Sequence, residues 1–444
     1  MSLFLIIAVI LAIILFTAVW KIHPLPVLMF GAFIFGICNQ YGVLNTLDMI
    51  STGFGNTIKS IGIVIIAGTV IGVFMEQRGA LKVIARKIIS LTGEKRTPLA
   101  MCLIGFVVSI CIFCDSAFII LVGLWKKIGK LAKLPLAVGA AALSMGLFAS
   151  HCFIPPTPGP LAAIAVLEAD FALVLLFGSI AALASALAGY FYVSAAGKNE
   201  ITEDAAEDDL PADSPENLFQ KHWSIAFLPI LIPMLLIAAA SVCKLFEKSL
   251  PGSVVKVITI TGTPIIALVI GAIIAIFCLG SWKKRELSVD GLMGKAVVDA
   301  ANILVITGAG GAFGEVLKKV DFAAFMPDRV SVMGVWAILL PLGFAALLKV
   351  AQGSSTLAIL TAASVTVPLL EPLGLNTPAL RALSCCAVCC GSMIVSHTND
   401  SYFWVVTKFS GMNVRQGLKL QTVGTLVSGL AGAIVLLIIG LFCI

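Results

Sequence analysis

Two short stretches combine groups that exchange protons or bind anions. "SHTND", Ser396–Asp400, supplies a hydroxyl, an imidazole, an amide and a carboxylate within five residues. "SHCFIPPTPGP", Ser150–Pro160, joins another Ser-His pair to four prolines and a glycine. The histidines His151 and His397 are two of only four in the chain. An imidazole titrates near neutral pH, with an ordinary pKa of about 6.5, so it suits a proton switch. Prolines remove N–H donors and restrict the residue before each, leaving carbonyls free to accept from a hydroxyl or a cation. Helix N-termini beyond such breaks offer N–H donors to an anion.

Two further segments carry polar groups in apolar surroundings. "AQGSST", Ala351–Thr356, places a flexible glycine before three hydroxyls. Gln352, Gly353, Ser354, Ser355 and Thr356 there suit a carboxylate or a polyol. Lys349 precedes them, and a lysine at that depth should face a cavity or an anion. "IFCDSAF", Ile112–Phe118, holds Asp115 and Ser116. An isolated acid in a lipid-depth segment is functional by default. These readings make Asp115, His151 and Asp400 candidates for proton exchange. Ser116, Thr157, Lys349, Gln352, Gly353, Ser354, Ser355, Thr356, His397 and Asn399 are candidates for substrate binding.

The elements that position them are set by composition. The 444 residues are 60% hydrophobic and 12% charged, against about 25% charged in soluble domains. Mean hydropathy is +1.09. Apolar runs near the ~20 residues that cross a bilayer recur throughout, which defines a polytopic membrane protein. The first run lacks a charged leading region and a small-residue cleavage site, so it reads as a span and not a signal peptide. The net charge of +6 reports loop topology, and no basic-aromatic interleaving points to nucleic acid. The twelve cysteines lie mostly in apolar runs. Cys111-x-x-Cys114 and "SCCAVCC" (Ser384–Cys390) therefore read as packing, since no histidine or paired cysteine motif completes a zinc set. "GAGGAFG" (Gly308–Gly314) lacks the spacing of a phosphate loop and reads as close helix packing. No Walker lysine motif or cofactor motif is present.

An acidic stretch, Gly197–His222, holds eight Asp or Glu and two Lys. It reads as a linker between residues 1–196 and 223–444. The halves echo one another. Ser150 and Ser396 begin Ser-His pairs 246 residues apart, and Gly68 and Gly308 mark glycine-bearing spans 240 apart. A polar interruption lies between these markers in each half. Such repeats are the sequence sign of a secondary transporter. Basic segments Gln77–Pro98 and Lys126–Lys133 should both be cytoplasmic, so the segment between them must be re-entrant. In the second half the basic loops change places, as an inverted repeat requires.

The expectation is an all-α polytopic membrane protein with two inverted repeats. Each has five spans and one re-entrant hairpin, with broken helices at midplane. Spans fall near 3–20, 25–43, 60–76, 135–167 (broken), 172–196, 223–243, 255–280, 296–317, 379–407 (broken) and 420–442. Hairpins fall near 98–124 and 332–370. Both termini are then external and the 197–222 linker cytoplasmic.

Together, "GFGNTIKSIG" (Gly53–Gly62), "PPTPGP" (Pro155–Pro160), "ITGAGGAFGEVL" (Ile306–Leu317), "LKVAQGSSTLAILTA" (Leu348–Ala362) and "SHTNDSYFW" (Ser396–Trp404) resemble the gluconate permease family of the ion transporter superfamily. The resemblance spans nearly the whole chain in the same order. It implies an inner-membrane symporter coupling a sugar acid to protons. It also implies a homodimer and an elevator-like movement. The chain departs from the family pattern at Thr157, where a histidine is typical, and at Lys349, where an arginine is typical. Both positions bear on substrate choice. The "SHTND" form favours a hydroxy acid over D-serine. The alternatives are a symporter of D-serine or another small amino or hydroxy acid, a passive channel, and an intramembrane enzyme. No Ser/His/Asp set or metal-ligand spacing supports the last. Sodium coupling stays open, because free carbonyls at the breaks could bind that ion.

Overall fold

The computed structural model describes residues 8–9, 12–13, 15–16, 20, 22–92, 97–110, 112–131, 135–198, 200, 223–245, 251–279, 284–317, 319, 334–398 and 400–443. The described chain is helical throughout. Most of the first expected span and most of the acidic linker lie outside it, as does the start of the second expected hairpin.

The first half contains α1 (Pro24–Cys38), α2 (Val43–Gln77), α3 (Ala80–Thr92), α4 (Thr97–Val108), α5 (Cys114–Leu131), α6 (Leu136–Phe153), α7 (Pro158–Leu167) and α8 (Phe171–Ala196). The second contains α9 (Trp223–Leu245), α10 (Gly252–Thr261), α11 (Pro264–Cys278), α12 (Leu292–Leu317), α13 (Leu339–Gln352), α14 (Ser355–Thr366), α15 (Pro378–Gly391), α16 (Ser401–Ser410) and α17 (Val423–Leu441). Among the described residues, six helical stretches are long and apolar enough to cross a bilayer, or eight if two bent pairs each count as one span. The chain is a multi-pass membrane protein.

Several boundaries differ from the sequence expectation. The spans placed near 25–43 and 60–76 are α1 and a 35-residue α2, which bends by 47° between Ser60 and Gly62. The polar residues of 44–59 hide the start of α2, because most of them lie on its exposed face and only Thr46 and Thr57 are buried, Thr57 against Gly311 of α12. Thr57 is buried there and returns its hydroxyl to the Gly53 carbonyl at 2.9 Å. The span placed at 255–280 is α10 and α11, bent by 64° at Gly262–Thr263, where Pro264 opens α11. The basic segment 77–98 is not a loop but contains α3. Its Ala80, Leu81, Ile84 and Ala85 are buried, three to four residues apart, as an amphipathic helix requires. Lys126 likewise belongs to α5, which continues to Leu131.

Two bodies of packing emerge. α2 lies along α12, joined by α1, α10 and α11 through α9 and α2. The other body gathers α4, α6, α8, α15 and α17 around the completely buried α6. Gly146 permits this: a Cβ there would collide with the Cys102 carbonyl on α4. The short helices α7 and α14 lie against each other and against α12, between the bodies. The closely packed thiols serve this core. Cys390 donates to the Gly429 carbonyl at 3.1 Å, and Cys102 to the Ala186 carbonyl at 3.4 Å.

Candidate functional site

Four chain reversals supply the polar groups. The first is the tip between α4 and α5, where the Ser109 hydroxyl donates to the Ile112 carbonyl at 3.0 Å. Asp115 and Ser116 follow in the first turn of α5 and are half-buried. The Cys114 thiol lies 3.8 Å from Asp115 Oδ2. Cys111 lies outside the described residues.

The second is the break between α6 and α7. α6 stops where Pro155 and Pro156 cannot donate, and Pro156 follows a cis peptide bond. Thr157 turns its hydroxyl back onto the Ile154 carbonyl at 2.6 Å, which satisfies one group the break frees. His151, in the last turn of α6, is 7% exposed, and its Nδ1 has no partner. The Ser150 hydroxyl is likewise buried without one. The His151 ring lies 6.0 Å from that of Phe113. His151 and Thr157 face a narrow cleft with Gly68 and Thr69 of α2, Phe113, and the prolines Pro156 and Pro158.

The third is the tip between α13 and α14. Gly353 ends α13 with φ 80°, a left-handed value that glycine adopts without strain. Ser354 caps α14, its oxygen accepting from the Leu357 N–H at 3.4 Å. The Ser355 hydroxyl is buried and unpartnered, and Thr356 is half-buried. Gln352 is the last residue of α13. Lys349 is completely buried, and its ammonium donates to the Gly353 carbonyl at 2.6 Å and to Asp400 Oδ2 at 2.6 Å. It also lies 5.2 Å from the Phe148 ring centroid.

The fourth is the break between α15 and α16. Val395 takes φ 59°, a costly value for a β-branched residue. Hydroxyls beside and on α17 hold the exposed backbone. Thr425 accepts from the Ser396 N–H at 3.0 Å, and Thr422 donates to the Ser396 carbonyl at 2.7 Å. Asp400 caps α16 through the Tyr402 N–H at 3.0 Å. Its other oxygen takes Lys349 and the Ser396 hydroxyl. His397 is partly exposed, and its Nε2 lies 3.2 Å from the Val350 carbonyl. Asn399 lies outside the described residues.

Lys349, Gly353, Ser396 and Asp400 thus form one cluster across the second tip and second break. Asp115 is near enough to feel both Asp400 and Lys349 electrostatically, and so is His151. The two histidines sit in unlike surroundings, one enclosed and one partly exposed. Residue types alone did not mark Tyr402, Phe148, Ser144 or Gln421. Tyr402 is 2% exposed, stacked on Phe148 at 5.2 Å and edge-on to Phe118 at 6.2 Å. Ser144 donates to Gln421 Oε1 at 2.8 Å. The only sequence signal for this last pair was a polar residue in an apolar run on each of two distant helices.

Helix breaks and tips gathered inside a helical membrane protein are an arrangement that transporters use. The architecture matches solved transporters. The Neisseria gonorrhoeae MtrF structure, described as illuminating a class of antimetabolite efflux pumps, superposes with a TM-score of 0.62 at 16% identity. That match covers 90% of this chain and 85% of MtrF. The Alcanivorax borkumensis YdaH transporter gives 0.62 at 19% identity, over 89% and 88%. At these identities the likeness establishes the fold. The family model of the GntP family permeases matches residues 1–442, and the chain belongs to that family. Relatives include a gluconate permease of Zymomonas mobilis, 30% identical over 96% of this chain and 95% of its own length. The L-idonate transporter of the Gnt-II system in Escherichia coli is 30% identical, over 94% of both chains. The protein is a secondary transporter.

Proposed function

We propose that this permease imports gluconate or a closely related sugar acid across the inner membrane together with protons, by an elevator-like movement. The observation that carries the reading is the contrast between a saturated ion pair and open polar groups beside it. Lys349 and Asp400 satisfy each other. Ser355, Ser150 and His151 keep unpaired polar atoms in a buried setting. Unpaired buried polar atoms are costly, so a bound molecule is expected to complete them.

In this reading the N-terminal turn of α14 holds the substrate carboxylate. Backbone N–H groups at a helix start favour an anion, and the Ser355 hydroxyl adds a side-chain donor. Gln352, Gly353, Ser354 and Thr356 complete that tip, with Lys349 fixing the Gly353 carbonyl. Thr157, Ser116, Asn399 and His397 meet the hydroxyls. Asp115 and His151 carry the coupled proton. Asp400 joins them through Lys349: protonating Asp400 would strand a buried ammonium, so its ionisation is tied to the position of the second tip. The names of the relatives support a sugar acid. The inverted arrangement, the homodimer and the external termini complete the reading.

The test is uptake of labelled gluconate, idonate and D-serine into proteoliposomes, with a pH gradient imposed and with sodium present or absent. Accumulation of a sugar acid that follows the pH gradient and ignores sodium supports the reading. Accumulation driven by sodium alone, preference for D-serine, or equilibration without accumulation rejects it.

A further inference from the structure

A second group of buried polar atoms lies away from the tip of α14. The Tyr402 hydroxyl and the Gln421 amide nitrogen are both buried without a hydrogen-bond partner. Tyr402 is 2% exposed and Gln421 0%. Ser144 stands between them: its hydroxyl donates to Gln421 Oε1, and the Tyr402 hydroxyl faces it without a well-formed bond. Two orphaned groups converging on one satisfied hydroxyl leave room in the bonding pattern for water, which requires two to four polar partners.

The cluster has two neighbours. On one side Tyr402 lies within electrostatic reach of Cys114, Asp115 and Asp400, and Asp115 in turn of Lys349. On the other, Gln421 belongs to a π-helical segment, Leu418–Thr422. Such segments are rare and gather at functional sites. Two residues earlier, Lys419 pairs with Glu200 at 2.8 Å, and Gln416 donates to Glu200 at 3.1 Å. Arg415 also acts on Glu200. Glu200 opens the acidic linker. Polar groups therefore stand at intervals between the first tip and the linker-facing end of the molecule.

We infer that Tyr402, Ser144 and Gln421 hold water and form a proton path between Asp115 and the linker-facing surface. This rests on the proton-coupled reading above. Asp115 releases its proton to a water beside Tyr402. The Tyr402 hydroxyl gives its own proton to the water held by Ser144 and Gln421 as it accepts the incoming one, and a proton leaves at the far end. No group in the path changes net charge.

The test compares Tyr402→Phe and Gln421→Leu with the unaltered protein in proteoliposomes. Phenylalanine keeps the stacking on Phe148 and removes only the hydroxyl. Two readouts are taken: substrate-linked proton entry, from an internal pH dye, and exchange of labelled for unlabelled gluconate at equal pH. Exchange needs no net proton movement. The expected result is a tenfold or greater loss of proton-linked net uptake in both variants, exchange within twofold of the unaltered protein, and a larger solvent deuterium effect. Unaltered proton-linked uptake in both variants overturns the path while leaving proton coupling intact. Parallel loss of exchange overturns it too, by making these residues part of substrate binding or folding. Absence of proton entry in the unaltered protein overturns the path and the coupling together.

Discussion

The two helix breaks solve the same problem differently. At the second, between α15 and α16, the carboxylate and the backbone at the reversal find partners. Asp400 accepts from Lys349, Ser396 and the Tyr402 N–H, while Thr422 and Thr425 hold Ser396. At the first, between α6 and α7, prolines delete donors instead of pairing them. Thr157 satisfies the Ile154 carbonyl, but Ser150 and His151 retain unpaired atoms. The charged break is the closed one. The uncharged break, with only a histidine to titrate, is the one left open for chemistry.

The comparison breaks most severely if the ion pair is cut. Asp400→Asn or Lys349→Met alone should destabilise the protein by about 3–5 kcal/mol, because each leaves an uncompensated buried group. Thermal melting in detergent should show the loss, and the double variant should recover most of it. A single variant melting like the unaltered protein would mean that the pair is not closed. Next in size, Asp115→Asn should abolish pH-driven uptake yet keep gluconate binding, measured by thermal shift.

At the open break the expected effects are on function before stability. His151→Gln should leave the melting temperature nearly unchanged, since no hydrogen bond to Nδ1 is lost, but should reduce pH-driven uptake by about tenfold, consistent with one lost proton-transfer group. Thr157→Val should cost about 1 kcal/mol for the lost bond to Ile154 and alter the ranking of sugar acids in competition assays. The smallest effect belongs to the linker end. The hydrogen bonds from Lys419 and Gln416 hold the Glu200 carboxyl below its ordinary range. Its contribution is therefore present above the ordinary carboxylate pKa and disappears as pH falls through the lowered value. Glu200→Gln should lower neutral-pH stability slightly and flatten the acid limb of the melting curve, so that the two proteins converge at low pH.

Much of this was legible along the chain because it is local. Apolar runs of membrane length, prolines in the first break, a glycine and three hydroxyls at the second tip, and a lone acid in the first tip each act through their own backbone. The start of α2 and the presence of α3 are not legible, because polar and basic residues on the exposed face of a helix look like loop residues in a sequence. Lys349 drew notice as a buried charge, but nothing in its neighbours named Asp400, 51 positions away. Tyr402 stands two residues from Asp400, but nothing in the sequence pairs it with Ser144, 258 positions away.

Local pattern along the chain is enough to specify a membrane-embedded permease with helices interrupted at four places, since bilayer thickness and missing N–H donors act on contiguous residues. Which polar groups satisfy one another and which remain available emerges only in the folded molecule. That depends on distances between segments hundreds of residues apart, such as Ser144 and Gln421. Hydrogen bonds and ion pairs fall off within a few ångströms, so composition and spacing carry no record of them.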